Sequence, residues 1–285
     1  MQSMTRSGAG LANNRVPARS TSLTVENIAI HVTDQGAGVP TLLLHGIFDS
    51  ADTWSGVTER LQANFRCLVP DLPGFGRSGE PADFDCSLPH LAQFIDNLIG
   101  ALGIDQPINL IGYDIGATYG LAWAVTHPAK VRNIAILNAN FFSDYKWHSF
   151  ARLWRIPVVG ELAMAMITEA NFARAMVSSA PQIPPEKARE AARLVTPAAK
   201  RMALRHYRAL DSAVFHGWED QLRDLTSHKP TIVCWGDQDP AIPPSFAERF
   251  GAQTVRHFPT NSHWLPLEAP ALLAEYLEAF FREAA

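Results

Sequence analysis

Short apolar runs, each closed by turn residues, recur along the chain with helical patterns between them. This alternation constrains the fold more than any other feature. The runs are TLLL (41–44), FRCLV (65–69), INLIG (108–112), NIAIL (133–137) and TIVCW (231–235). Unbroken apolarity over so few residues is what a strand buried on both faces requires. Between the runs, LPHLAQFIDNLIGALG (88–103) spaces its apolar residues by three and four and ends in glycine, and ATYGLAWAVTHP (117–128) is stopped by Pro128. This order predicts a mostly parallel central sheet flanked by helices, an α/β fold. SLTVENIAIHVTD (22–34) reads as an antiparallel hairpin ahead of that sheet.

The alternation lapses between residues 140 and 225. That stretch is rich in helical patterns and aromatics (FFSDYKWHSFARLW, RHYRALDSAVFHGW), and its prolines include Pro181, Pro184 and Pro185. It predicts a helical cap (140–225) inserted into one core (23–139 and 226–285), over the carboxyl ends of the strands, where such sheets bind ligands. Residues 1–22 lack the apolar segment of a signal peptide and read as a flexible leader.

Composition removes several classes of function. A formal net charge of −4 argues against a nucleic-acid partner. Without a run of 18 apolar residues, no membrane partner is expected. Cys67, Cys86 and Cys234 form no CxxC pair or Cys/His cluster, so no metal site is expected, and a reducing, cytoplasmic setting fits them. GFGRSG (74–79) has neither the Lys-Ser/Thr of a P-loop nor full GxGxxG spacing, so it reads as a loop and no cofactor is expected. Oligomeric state is not legible.

Gly112-Tyr113-Asp114-Ile115-Gly116 follows one predicted strand and opens a helix. G-x-nucleophile-x-G at such a junction is the pattern of a strained turn that lifts one side chain above the sheet. The alternative is that Asp114 simply caps the helix. Its company weighs against that. His45-Gly46 follows the first core strand, VPDLPGFGRSG (69–79) ends the next, Trp235-Gly236-Asp237-Gln238-Asp239-Pro240 ends a late one, and Asn261-Ser262-His263-Trp264 lies near the carboxyl terminus.

With these motifs in this order, the chain resembles the α/β-hydrolase fold family from about residue 23 to the end. Aspartate at the elbow resembles the branch of epoxide hydrolases, haloalkane dehalogenases and fluoroacetate dehalogenases. The resemblance implies Asp114 as nucleophile, His263 as base and Asp239 as the acid that orients it, with Asp237 a nearby rival. It also implies the backbone N–H groups of Ile47 and Ile115 as oxyanion donors, and it makes His45 a residue that orders the oxyanion loop.

An aspartate, with an ordinary pKa near ~3.9, is ionised without help and can displace an alkoxide or a halide from saturated carbon. Water activated by a neutral imidazole then hydrolyses the ester. An epoxide oxygen leaves better when protonated, a role that fits Tyr207, in Arg205-His206-Tyr207-Arg208, and secondarily Tyr145. A halide wants N–H donors in an apolar cage, which Trp147 and His148 can supply. Ile115 and Ile47 stand where haloalkane dehalogenases carry Trp and Asn, and no arginines follow Asp114 to clamp a haloacid. Phe48 replaces the proline of the epoxide hydrolases' HGxP.

With Ile47, Phe48 and Ile115 flanking the nucleophile, the substrate reads as small, apolar and neutral, its only co-reactant water. Phe75, Phe141, Phe142, Trp147 and Trp154 are further lining candidates. The leading expectation is an epoxide hydrolase. Haloalkane dehalogenation is the alternative, and a non-catalytic small-molecule binding protein the second.

Overall fold

A computed structural model describes residues 18–284. Its eight strands are β1 (Arg19–Val25), β2 (Ile28–Gln35), β3 (Val39–Leu44), β4 (Phe65–Pro70), β5 (Ile108–Tyr113), β6 (Val131–Leu137), β7 (Thr231–Gly236) and β8 (Thr254–Phe258). They form one sheet in the order β1-β2-β4-β3-β5-β6-β7-β8. β2 runs antiparallel to β1 and β4, and every other neighbouring pair is parallel.

The apolar runs become strands because both faces of the sheet are covered. Every residue of β5 and of β7 is buried. Helices Leu88–Ala101, Ile115–Thr126 and Trp218–His228 put their apolar faces into the cluster on one side. Helices Ser55–Leu61 and Pro270–Glu283 do so on the other. Glu26 and Asn27, at φ 50° and 64°, make the tight β1–β2 turn in the left-handed region that matches the twist of a two-residue hairpin.

Three expectations change. Arg19–Ser22, read as part of a leader, lie in β1 and pair with His31–Asp34; residues 1–17 of that leader lie outside the described residues. β8 (TVRHF) escaped the sequence reading because an edge strand is half solvated and carries no continuous apolar run. The stretch between β6 and β7 holds Ser149–Trp154, Val159–Ala165, Glu169–Ser179, Pro185–Ala192 and Pro197–Ala209 as its α-helices before residue 218. Its last helix, Trp218–His228, packs against Ile115–Thr126 and buries Leu222 and Leu225 in the core cluster. The expected boundary at 225 therefore falls inside a helix that packs as core.

Candidate active site

Asp114 closes β5 with φ 50° and ψ −126°, a conformation that strains any residue but glycine. The flanking glycines follow from the same turn. A Cβ on Gly112 would lie 2.5 Å from Ala117 Cα, and one on Gly116 would lie 2.5 Å from the Leu44 and His45 backbone. The Asp114 side chain makes no capping bond to its helix. Instead its Oδ2 accepts a 2.9 Å hydrogen bond from the Ile47 N–H, and the Ile115 N–H at the start of the helix adds to the field on the carboxylate. Burial raises the pKa of Asp114; His263 and these two N–H groups oppose that rise without cancelling it.

His263 lies in the loop after β8, with Nδ1 2.7 Å from Asp239 Oδ2 and Nε2 4.0 Å from Asp114 Oδ1. Burial works against the imidazolium, but the Asp239 carboxylate and then the Asp114 charge outweigh it, and the pKa rises to about 9. Asp239 is itself fully engaged. Its Oδ1 accepts from the N–H groups of Ala241 (2.7 Å) and Ile242 (3.0 Å), and its Oδ2 from Asn138 Nδ2 (2.9 Å). Burial opposes its ionisation, yet His263 and these donors hold its pKa below the ordinary value. The rival Asp237 is taken up elsewhere, 2.5 Å from His257 Nδ1.

Sequence reasoning missed Asn138. It stands at φ 36° just after β6, donates to Asp239 and accepts from the Gly236 N–H (3.0 Å). The sequence signal was an Asn at a strand end, where its tolerance of the left-handed region is useful. Glu268 was also missed; it accepts from the Ser262 N–H at 2.8 and 3.0 Å and so ties down the loop that carries His263.

The loop that carries Ile47 is built on His45. Its Nε2 accepts from the Leu72 N–H at 2.8 Å, so Nδ1 carries the proton that bonds the Gly46 carbonyl at 2.8 Å. Burial lowers its pKa. Phe48, at φ 57°, occupies a conformation closed to proline, whose ring fixes φ near about −65°. The departure from HGxP is thus matched by a different backbone path.

A cavity of about 880 Å³ opens above Asp114. Ile47, Phe48, Ile115 and His263 line its floor, and Tyr145, Trp147, His148 and Tyr207 line it from the helical insertion side. Trp154 joins them, whereas Phe75, Phe141 and Phe142 are plain core. A shallower depression of about 460 Å³ lies between the charged side chains of Arg60, Glu275 and Arg282, away from these groups.

The polar atoms of the insertion side differ in availability. Tyr145, expected as a second acid, lines the cavity but donates its hydroxyl to the Ala241 carbonyl at 3.0 Å. Tyr207 packs edge-on against Trp147 and leans on Trp154 (ring centroids 5.3 and 5.0 Å apart). Burial raises its pKa well above the ordinary value, so its hydroxyl keeps its proton. The Trp147 Nε1–H is buried without a partner among the described residues. His148 accepts from the Ala151 N–H at 3.3 Å, and burial lowers its pKa to about 4.

Among the described residues no group of His, Cys, Asp and Glu is arranged to hold a metal ion, and no helix is long and apolar enough to cross a membrane. The three cysteines are buried and unpaired.

The chain is similar to several known proteins. The chain is 27% identical to haloalkane dehalogenase 2 of Mycobacterium tuberculosis, over 86% of this chain and 88% of that protein. It is 32% identical to an epoxide hydrolase of Caballeronia sordidicola over 133 residues, 46% of this chain and 40% of that one. The solved epoxide hydrolase CorEH superposes with a TM-score of 0.80 at 20% identity, covering 94% of this chain and all (100%) of that one. A family model described as the alpha/beta hydrolase fold matches residues 40–270, and with that match and the sheet order above, the chain belongs to the α/β-hydrolase fold family.

Proposed function

We propose that the protein hydrolyses an apolar epoxide to a vicinal diol through an ester on Asp114. The observation that carries this reading is the division of labour within one carboxylate. Oδ2 is held by the Ile47 N–H, while Oδ1 faces the cavity with His263 Nε2 4.0 Å away, beyond hydrogen-bond length. Oδ1 is free to attack, and Oδ2 already occupies the place where negative charge develops when water attacks the ester.

In the resting site Asp114 is an anion, His263 an imidazolium and Tyr207 a neutral phenol. Oδ1 attacks an epoxide carbon, the C–O bond breaks, and Tyr207 protonates the departing oxygen. Esterification removes the Asp114 charge, one of the causes of the raised His263 pKa. The imidazolium then restores the proton to Tyr207 and becomes a base. It takes a proton from water as hydroxide adds to the Asp114 carbonyl. Collapse breaks the ester C–O bond, the diol leaves with the acid proton, and anion, imidazolium and phenol are restored. Asp239 holds the imidazole in the tautomer this requires.

One observation favours a second reading. Trp147 lines the apolar cavity beside Tyr207 and its buried Nε1–H has no partner among the described residues, the kind of donor a halide needs, and a haloalkane dehalogenase is among the relatives. Both readings share the ester, so one experiment separates them. The intact mass of His263→Gln is measured after incubation with apolar epoxides and haloalkanes. A gain equal to a whole epoxide on Asp114 is expected. A gain of a haloalkane less hydrogen halide selects the second reading, and no adduct on Asp114 with any member overturns both.

A further inference from the structure

The helical insertion carries an apolar surface that the ester chemistry does not use. Phe150 is 66% exposed, Ile156 50%, Val158 70%, Leu162 65% and Met166 75%, all within the two helices 149–154 and 159–165 and their flanks. Isolated exposed apolar residues are ordinary; five large ones in seventeen consecutive residues are a patch that a soluble surface does not need.

Two observations say what covers it. The first is continuity with the cavity: Phe150, Leu153 and Met166 are exposed and at the same time line the space above Asp114. The apolar surface therefore runs without a break from the outside of the protein to the nucleophile. The second is charge. Residues 146–166 contain three cations, Lys146, Arg152 and Arg155, against one carboxylate, Glu161, in a chain whose overall charge is −4. Glu161 is neutralised by Arg208 at 2.7 Å and Arg155 is paired with Asp211, whereas Lys146 and Arg152 have no ion-pair partner among the described residues. A surface that is apolar, locally cationic and open to the active-site cavity complements an anionic lipid surface.

We propose that helices 149–154 and 159–165 dock the protein on anionic lipid, and that an aliphatic substrate dissolved in that phase enters the cavity between Phe150, Leu153 and Met166. This reverses the expectation of no membrane partner without requiring a span. A cavity of about 880 Å³ suits it, since it exceeds by severalfold the needs of a substrate of a few carbon atoms. The substrate part rests on the ester chemistry proposed above; the docking part does not.

The test reads binding alone, so its failure is distinct from a failure of the hydrolase reading. The full-length protein is sedimented with vesicles of equal parts phosphatidylglycerol and phosphatidylcholine, and with vesicles of phosphatidylcholine only. Val158→Glu/Leu162→Glu alters two exposed positions that do not line the cavity, and its fold is checked by circular dichroism and its thermal midpoint. The expected result is sedimentation with the anionic vesicles, weakened roughly tenfold in the folded double variant and by salt. Wild type left in the supernatant, or wild type and folded variant sedimenting alike, overturns the proposal. So does a homodimer in sedimentation velocity that the double variant dissociates while vesicles bind neither protein, because the patch then belongs to a second copy of the chain. Should the double variant not fold, Lys146→Glu/Arg152→Glu replaces it, with the same two outcomes.

Discussion

His263 stands between two carboxylates held in opposite ways: Asp239 is saturated with donors and Asp114 has one oxygen free. Its raised pKa links folding to pH. A histidine whose pKa is higher folded than unfolded contributes stability that is complete below the unfolded value of 6.5 and is lost as pH rises through about 9. The thermal midpoint of the wild type is expected to fall across that window, and most of the slope is expected to vanish in His263→Gln. In kinetics the same group gives a different value. Hydrolysis of the ester, followed after rapid mixing, is expected to rise with pH to a plateau with an apparent pKa below 9, because the Asp114 charge is gone from the intermediate. A third expectation concerns the positioning of Asp239. Asn138→Ala removes one donor, a loss of about 1–1.5 kcal/mol, and should slow ester hydrolysis roughly tenfold, with formation of the ester and KM little changed. Asp237→Asn should leave every step alone, since that carboxylate serves His257.

At the scale of elements, the turn from β5 into helix Ile115–Thr126 depends on how closely the helix approaches β3. Gly116 has backbone of Leu44 and His45 where a methyl group would go. Gly116→Ala must move one element against the other, and a loss of about 1–3 kcal/mol is expected by chemical denaturation, with ester formation slowed further because the Ile115 N–H moves as well. GxDxG was legible as a pattern for this reason: its glycines are demanded by packing that recurs wherever a helix follows such a strand. Asn138 and Glu268 were not legible. Their partners are 101 and 6 residues away, and an Asn after a strand or a Glu in LPLE has many ordinary uses. Tyr145 shows the same limit from the other side. The sequence offered it only as a candidate acid, and neither its place on the cavity wall nor the Ala241 carbonyl that occupies its hydroxyl could be read there.

The whole molecule is a sheet with helices on both faces and a helical insertion fastened over its carboxyl edge. Part of the fastening is visible at Arg205, which donates to the Pro81 carbonyl at 2.9 Å, and at Arg201, which pairs with Glu80 at 2.6 Å. Exposed links of this kind each contribute little to global stability, but they oppose local opening. Arg205→Ala is therefore expected to leave the denaturation midpoint nearly unchanged while limited proteolysis within 149–217 quickens severalfold. The sequence alone determined which apolar runs become core strands, that those strands are buried on both faces, and where the elbow at Asp114 lies, because these depend on local period and on turn geometry. Only the tertiary structure decided which hydroxyl and N–H groups are free in the cavity, which aspartate reaches His263, where the insertion ends and the core resumes, and that the apolar surface of the insertion is continuous with the site. Those outcomes depend on distances between residues far apart in the chain, which no local pattern encodes.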